Sequence, residues 1–349
     1  MTATTTTTII EGARYARHGR PFWRRALLRP ESVIVLAIVV LLLIGTFAIP
    51  FFAQAYTYQT MILNAGPVLL MLLPVTLVIV TSDIDLSVGS ILGFSSALFG
   101  LSYQAGVPLW LAAVIGVLAG AFVGVLNGVL VTAIGLPSLA VTIGTLALFR
   151  GIAVGLLGTT SITKFPPEIP RFLSSPMWGL PFPPVTIAIV VLAILFGVLL
   201  HFTPFGRGIF AIGLSIENAA FSGVAVNRTR FILFVLSGII AGATGVYFTL
   251  QYSNAIGTNG FGFELQVVTA IVLGGVSIWG GKGTLFGALA GGLLIAALNK
   301  TLQLAGIGSD TISIVTGVAL IFSVVVASIA GFISRRRRSK ASALVAAGA

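Results

Sequence analysis

The chain has 349 residues, of which 57% are hydrophobic and 8% charged, with a formal net charge of +11. A soluble domain carries about a quarter charged residues, so this chain lacks the polar surface to face water and its solvent is lipid. It has no cysteine and only two histidines, His18 and His201, which excludes disulfides, thiolate metal sites, a cysteine nucleophile and a histidine metal cluster.

Residues 1–31 open with a threonine run (Thr4 to Thr8) and carry Arg14, Arg17, Arg20, Arg24, Arg25 and Arg29, which predicts a disordered basic tail. The apolar run 32–52 that follows is too long for the core of a signal peptide and reads as an uncleaved first span. Further apolar runs lie at 60–80, 86–105, 108–133, 136–157, 184–202, 230–250, 264–280, 283–304 and 310–333. A hydrocarbon core of about 30 Å takes roughly 20 helical residues. The fold predicted is therefore all-α, a polytopic transmembrane helical bundle over 32–333 with about ten spans. The serine- and glycine-containing 86–105 and the short 264–280 fit a broken or re-entrant helix as well as a full crossing. The last segment, 334–349, is a second basic tail with Arg335 to Arg338 and Lys340.

Ten spans with the N-terminus inside put both tails, 81–86, 133–136, 203–229 and 281–283 in the cytoplasm. Fifteen cations then lie inside, Arg207, Arg228, Arg230 and Lys282 among them, and only Lys164 and Arg171 outside. That asymmetry obeys the positive-inside rule. It reads the basic tails as anchors on anionic membrane lipid, not as a nucleic-acid site. Two connections are long: 158–183, with six prolines and expected to be an ordered external loop, and the internal 203–229. At an offset of 172 residues Gly120, Leu126, Asn127 and Leu130 match Gly292, Leu298, Asn299 and Leu302. Four matches between oppositely directed spans fit an inverted repeat and fit chance about equally.

Within this frame several residues stand out. Gly116, Gly120, Gly124 and Gly128 recur every four residues on the fourth span, and Gly283, Gly287 and Gly291 on the ninth, a spacing that serves close helix packing. The segment Thr81-Ser82-Asp83-Ile84-Asp85-Leu86-Ser87 places two carboxylates between apolar spans. Asp85 or Ser87 could cap the third span, and the same acids could belong to a pathway or gate, since charge at membrane depth is costly and commonly functional. Glu264 starts the eighth span, either as a helix-start acid or at the external mouth, and Asp310 suits a cap at the tenth. Asn127, Thr142, Thr145 and Asn299 need partners in neighbouring helices or a wet cavity. The run Gly274-Gly275-Val276-Ser277-Ile278-Trp279-Gly280-Gly281-Lys282-Gly283-Thr284 is not a phosphate loop: Val276 stands where the first glycine is needed, and Gly283 where Ser or Thr must follow the lysine.

The internal loop contains Gly206-Arg207 and then Glu217-Asn218-Ala219-Ala220 followed by Gly223. It reads as an interfacial amphipathic segment, and it also resembles the coupling-loop motif of ABC permeases, Glu-Ala-Ala…Gly, with Asn218 in place of the first Ala. Ile84-Asp85-Leu86-Ser87-Val88-Gly89-Ser90, Leu136-Pro137-Ser138…Thr142-Ile143-Gly144-Thr145 and Leu273-Gly274-Gly275-Val276-Ser277…Gly280-Gly281-Lys282-Gly283 resemble, in order, three segments of the branched-chain-amino-acid/monosaccharide (ribose-type) permease family. Ser82-Asp83 stands where that family has Gly-Gly. The resemblance covers about 33–330. Gly179-Leu180-Pro181-Phe182-Pro183, Val226-Asn227-Arg228-Thr229 and Leu302-Gln303-Leu304-Ala305-Gly306-Ile307 look most like the rhamnose and autoinducer-2 import permeases within the family.

The resemblance implies a non-enzymatic permease subunit of an ATP-driven importer for a sugar-like solute, in a bacterial inner membrane. Implied partners are ABC ATPase subunits, a periplasmic solute-binding protein and a second permease subunit, alike or different. ATP and Mg would be bound by the ATPase and no cofactor or metal by this chain. Gly206, Arg207, Glu217, Asn218, Ala219, Ala220 and Gly223 would form the coupling loop. Asp83, Asp85, Ser87, Asn127, Thr142, Glu264 and Asn299 are the candidates for translocation or gating. The alternative is a secondary transporter or channel for a small polar solute, which calls for ion-coordinating acids deep in the spans, whereas the acids here fall near span ends. A membrane-embedded enzyme lacks a catalytic cluster.

Overall fold

The structure is a computed structural model that describes residues 30–319 together with 321 and 325. The arginines of both tails and most of the tenth apolar run lie outside the described residues; Pro30 and Glu31, read from sequence as the end of the tail, already belong to the first helix. The described chain is helical throughout. In order the helices are α1 (Pro30–Ala48), α2 (Ala55–Val80), α3 (Val88–Gln104), α4 (Leu109–Thr132), α5 (Ser138–Leu157), α6 (Glu168–Leu173), α7 (Val185–Phe202), α8 (Pro204–Leu214), α9 (Ile216–Phe221), α10 (Val226–Tyr252), α11 (Phe263–Leu273) and α12 (Leu285–Leu304). A last helix, α13, covers 309–319.

Among the described residues six helices are long and apolar enough to cross a membrane: α2, α4, α5, α7, α10 and α12. The 264–280 run is not one continuous helix but takes the broken form that its sequence also fitted. Its helix, α11, has 11 residues and a length of about 16 Å at 1.5 Å per residue, half the hydrocarbon thickness. The rest of the run and the residues up to 283 form a loop with positive φ at Gly275 (83°), Gly280 (75°), Gly281 (68°) and Gly283 (138°), conformations that end a helix. Hydropathy sees only that these residues are apolar or small.

α2 lies at the centre. Every residue from Gly66 to Val80 is buried, as a helix that is apolar all round must be, and α10, α12, α7 and α11 pack around it. The most extensive helix pair is α4 with α10, and glycines make it close. A Cβ on Gly120 would lie 2.5 Å from the Gly238 carbonyl oxygen, and one on Gly124 2.6 Å from that of Phe234. Gly116 faces Val246, and Gly128 faces Phe231. The second glycine series needs correcting. Gly287 and Gly291 sit on α12 against the backbone of Gly274 and Ala270, but Gly283 precedes the helix, in a turn whose φ of 138° suits glycine alone.

The connection 158–183 is packed onto the bundle. Ile162 exchanges backbone hydrogen bonds of 3.1 and 3.0 Å with Ala255, and Phe165 stacks on Phe99 and Tyr103 with ring centroids 5.4 and 5.2 Å apart. The segment 203–229 is a pair of short helices rather than a loop. Thr203 caps α8 by accepting from the Gly206 N–H at 3.1 Å, with Pro204 at the first helical position, and Ser215 caps α9 through the Asn218 N–H at 3.2 Å.

Candidate functional site

The chain from Thr81 to Ser87 is extended between α2 and α3 and buried among other segments. Asp83 is 3% and Asp85 1% exposed. Arg230, in the first turn and a half of α10, grips Asp83 with both ends of its fork: Nε donates to Oδ2 and Nη2 to Oδ1, each at 2.6 Å. The Thr81 hydroxyl adds a third bond to Oδ2 at 3.2 Å. Bidentate guanidinium–carboxylate pairing is the strongest neutralisation a side chain offers a buried acid.

Asp85 is held by neutral donors. The Ser87 N–H and hydroxyl donate to Oδ1 at 3.0 and 2.6 Å, and the Ser237 hydroxyl of α10 donates to Oδ2 at 2.7 Å. The Asn127 amide of α4 donates to the Ser87 hydroxyl oxygen at 2.8 Å, and Asn127 Oδ1 is buried with no hydrogen-bond partner among the described residues. Ser87 does not cap α3 with its side chain: its backbone is already helical (φ −77°, ψ −13°) rather than in the extended conformation that turns a capping oxygen toward the first helical N–H groups. The turn is pinned from α5 as well: the Ser138 hydroxyl accepts from the Ile84 N–H at 3.2 Å, and the Thr142 hydroxyl donates to the Ile84 carbonyl at 3.0 Å. Asp83, Asp85, Ser87, Asn127 and Thr142 thus form one network joining α3, α4, α5 and α10.

The same turn meets α8. Ser82 Oγ donates to the carbonyls of Trp279 and Gly213, at 2.8 and 3.2 Å, and the Gly281 N–H donates to the Val80 carbonyl at 2.9 Å. Gly213 allows this meeting, since a Cβ there would overlap the Val80 oxygen and lie 3.1 Å from Gly281 Cα. Ser82 has φ +68°, a left-handed conformation that costs a non-glycine residue roughly 1–2 kcal/mol. Its two hydrogen bonds oppose that cost.

On α8 and α9, Gly206 and Ala219 face inward. A Cβ on Gly206 would lie 2.5 Å from the Leu199 carbonyl oxygen, and Ala219 packs with Ile212 and Val226. Arg207, Glu217, Asn218, Ala220 and Gly223 are exposed. Around them the surface is apolar: Leu214 is 69%, Phe221 91% and Trp279 82% exposed.

Glu264 and Asn299 stand apart from this network. Glu264 Oε1 accepts from the Gly262 N–H at 3.3 Å, and Oε2 lies 3.9 Å from Arg150 of α5 with no hydrogen bond among the described residues. Arg150 donates to the carbonyls of Asn259 and Gly260, at 2.6 and 3.1 Å, so it ties α5 to the 253–262 segment. Asn299 Oδ1 accepts from Thr316 at 3.4 Å. Asp310 is exposed. From sequence Arg150 and Arg230 stand out only as charges, Ser138 only as part of a motif, and Gly213, Ser237 and Asn259 not at all. A cation inside an apolar run was the available signal for the two arginines; for the others spacing carries none.

Comparison with known proteins follows the same direction. Residues 57–328 match the family described as branched-chain amino acid transport system / permease component. The autoinducer 2 import system permease protein LsrD of Yersinia pestis (strain Pestoides F) is 36% identical over 284 residues, covering 78% of this chain and 85% of the relative. The protein of the same name from Yersinia pseudotuberculosis serotype O:3 (strain YPIII) has the same identity and coverage, 36%, 78% and 85%. No solved structure matches the chain significantly.

Proposed function

Because the chain belongs to the branched-chain amino acid transport system / permease component family, we propose that it is the permease subunit of an ATP-driven importer and takes up a sugar-like solute, with autoinducer 2, named in its LsrD relatives, the first to test. In this reading the chain crosses a bacterial inner membrane about ten times with both ends in the cytoplasm. It works with a second permease subunit, ABC ATPase subunits and a periplasmic solute-binding protein. The ATPase binds ATP and Mg, and this chain makes and breaks no covalent bond.

The observation that carries the reading is the exposed apolar residues of α8 and α9, with α8 joined to the 81–87 turn by the Ser82–Gly213 hydrogen bond and packed by Gly213 against Val80. An ATPase seated on Leu214, Ile216 and Phe221 would move α8 when ATP closes it. Gly213 and Ser82 would pass that movement to the turn, and Asp83 would pass it to α10 through Arg230. Asp85 and Asn127 would then shift with α3 and α4, biasing the bundle between outward and inward access. The hydrogen bond from the Ser82 hydroxyl to the Gly213 carbonyl and the close glycine contact suit this role because they resist sliding, whereas apolar side chains repack.

The test is uptake of labelled autoinducer 2 by cells carrying the whole transporter, with and without an ATPase active-site substitution. Uptake abolished by that substitution is expected. Uptake that persists points instead to a secondary carrier or channel.

A further inference from the structure

A cavity of about 170 Å³ lies between α2, α11, α12 and α13. One water needs roughly 10–15 Å³ of such space, so a solute an order of magnitude larger fits. Five polar side chains line it: Asn64 of α2, Gln266 of α11, and Asn299, Lys300 and Gln303 of α12. Its floor is apolar, made by Val68 and Ile295, both buried. Gly292, also in the lining, lets α12 close on α2, since a Cβ there would lie 2.7 Å from Leu69.

The polar groups are under-used. Asn64 accepts from the Tyr252 hydroxyl at 3.1 Å and Asn299 from Thr316 at 3.4 Å. Neither glutamine side chain has a hydrogen bond, and Lys300 has no ion pair, among the described residues. Four carboxamides and an ammonium on membrane helices cannot face acyl chains without a large cost. The exposed face of α7, with Ile187, Val190, Val191, Ile194 and Leu195, shows what a lipid-facing surface of this chain looks like. The mouth of the cavity therefore opens to water or against a partner subunit.

We infer that this cavity is a solute site on the import path, and that it takes a compact polyhydroxylated ring, neutral or anionic. Carboxamides donate to and accept from hydroxyls, the ammonium favours no cation as neighbour, none of the described lining residues is acidic, and the apolar floor suits the C–H face of a ring. Lys300 and Gln303 lie in the last turn and a half of α12, at the end that the proposed topology places outside. The inference rests on the importer reading, and its orientation rests on the inside location of the termini.

The chain's lack of cysteine makes the test direct. Asn299→Cys or Gln303→Cys introduces a single thiol, read by a membrane-impermeant methanethiosulfonate applied to intact cells that carry the whole transporter. Val191→Cys on the lipid-facing side is the control and should stay unlabelled. Both cavity thiols should react from outside. Autoinducer 2, L-rhamnose or D-ribose, whichever the same cells take up, should slow the reaction about tenfold at ten times its dissociation constant. A transported solute that leaves both rates unchanged overturns the cavity while the importer reading stands. Cells that take up none of the three solutes overturn the sugar-type importer reading itself. Reaction only in inside-out vesicles overturns the outward-facing placement. If Asn299→Cys fails to assemble, the exposed Gln303 carries the test alone.

Discussion

Arg230→Leu removes the only cation that contacts Asp83 among the described residues, and leaves that carboxylate, 3% exposed, with the Thr81 hydroxyl at 3.2 Å as its remaining side-chain donor. Two charge-assisted bonds of 2.6 Å are lost at once. Stranding a buried charge in this way costs about 3–5 kcal/mol. Asp83→Leu strands the guanidinium, whose side chain is 15% exposed and can reach toward the surface, so the cost falls at about 2–3 kcal/mol. Removing both charges leaves nothing uncompensated, and the double variant should be less destabilised than the two single changes together by about 2 kcal/mol or more. Equilibrium unfolding of the purified chain in mixed detergent–SDS micelles measures all three. Uptake should remain impaired in the double variant although its stability recovers, because two leucines restore packing without a directional link from α10 to the turn. Single variants within about 0.5 kcal/mol of the parent, or strictly additive losses, would refute the reasoning.

Four further outcomes follow from the same geometry. Gly213→Ala pushes a Cβ into the Val80 carbonyl, so α8 must move off the turn; ATP hydrolysis by the assembled transporter should continue while uptake is lost, read as the ratio of the two rates. Glu217→Ala combined with Gly223→Pro changes the exposed end of α9, where Gly223 has φ +82° and proline cannot follow; co-purification of the ATPase and uptake should both fall with membrane insertion unchanged on blots. Gly120→Leu drives a large side chain into the backbone of α10 at Gly238 and Gly242, and should abolish a monodisperse peak on size exclusion, whereas Gly155→Leu, where an added Cβ meets nothing within 4 Å, should cost far less. Ser237→Ala removes one of three donors to Asp85, a loss of about 1.5–3 kcal/mol for a bond to a charged acceptor, measurable in the same SDS titration.

The helices were legible wherever a long apolar run coincided with a helix. The run 136–157 became α5, 138–157, and 184–202 became α7, 185–202, because lipid leaves a backbone no other way to satisfy its hydrogen bonds. For the run 264–280 the sequence left a full crossing and a broken helix open, and the structure has the broken one: Leu273, Gly274 and Val276 are equally apolar on either side of the helix end, and the positive φ of Gly275 is a backbone property that hydropathy does not carry. Gly283 was placed on a helix by its spacing to Gly287, and the turn before Leu285 took it instead. In the site, Asp83 and Asp85 were visible as charges out of place. Their partners were not, because Arg230 is 147 and Ser237 152 residues away, and no periodicity links positions across such a separation.

Composition by itself determined that this chain is a helical membrane protein, since hydropathy is a property summed along the chain, and its ordered motifs carried the resemblance to a permease family. Tertiary structure alone decided how the 81–87 turn is used. The two acids, adjacent but one, diverge to different jobs: Asp83 ion-paired to the start of α10, Asp85 bonded to serines of α3 and α10. It also turned the internal 203–229 connection into two capped helices, the first of which meets the end of α2 and this turn at Gly213. Burial strength can be read from residue types, but which donor meets which buried acceptor depends on where separate helices cross, and that is set by packing.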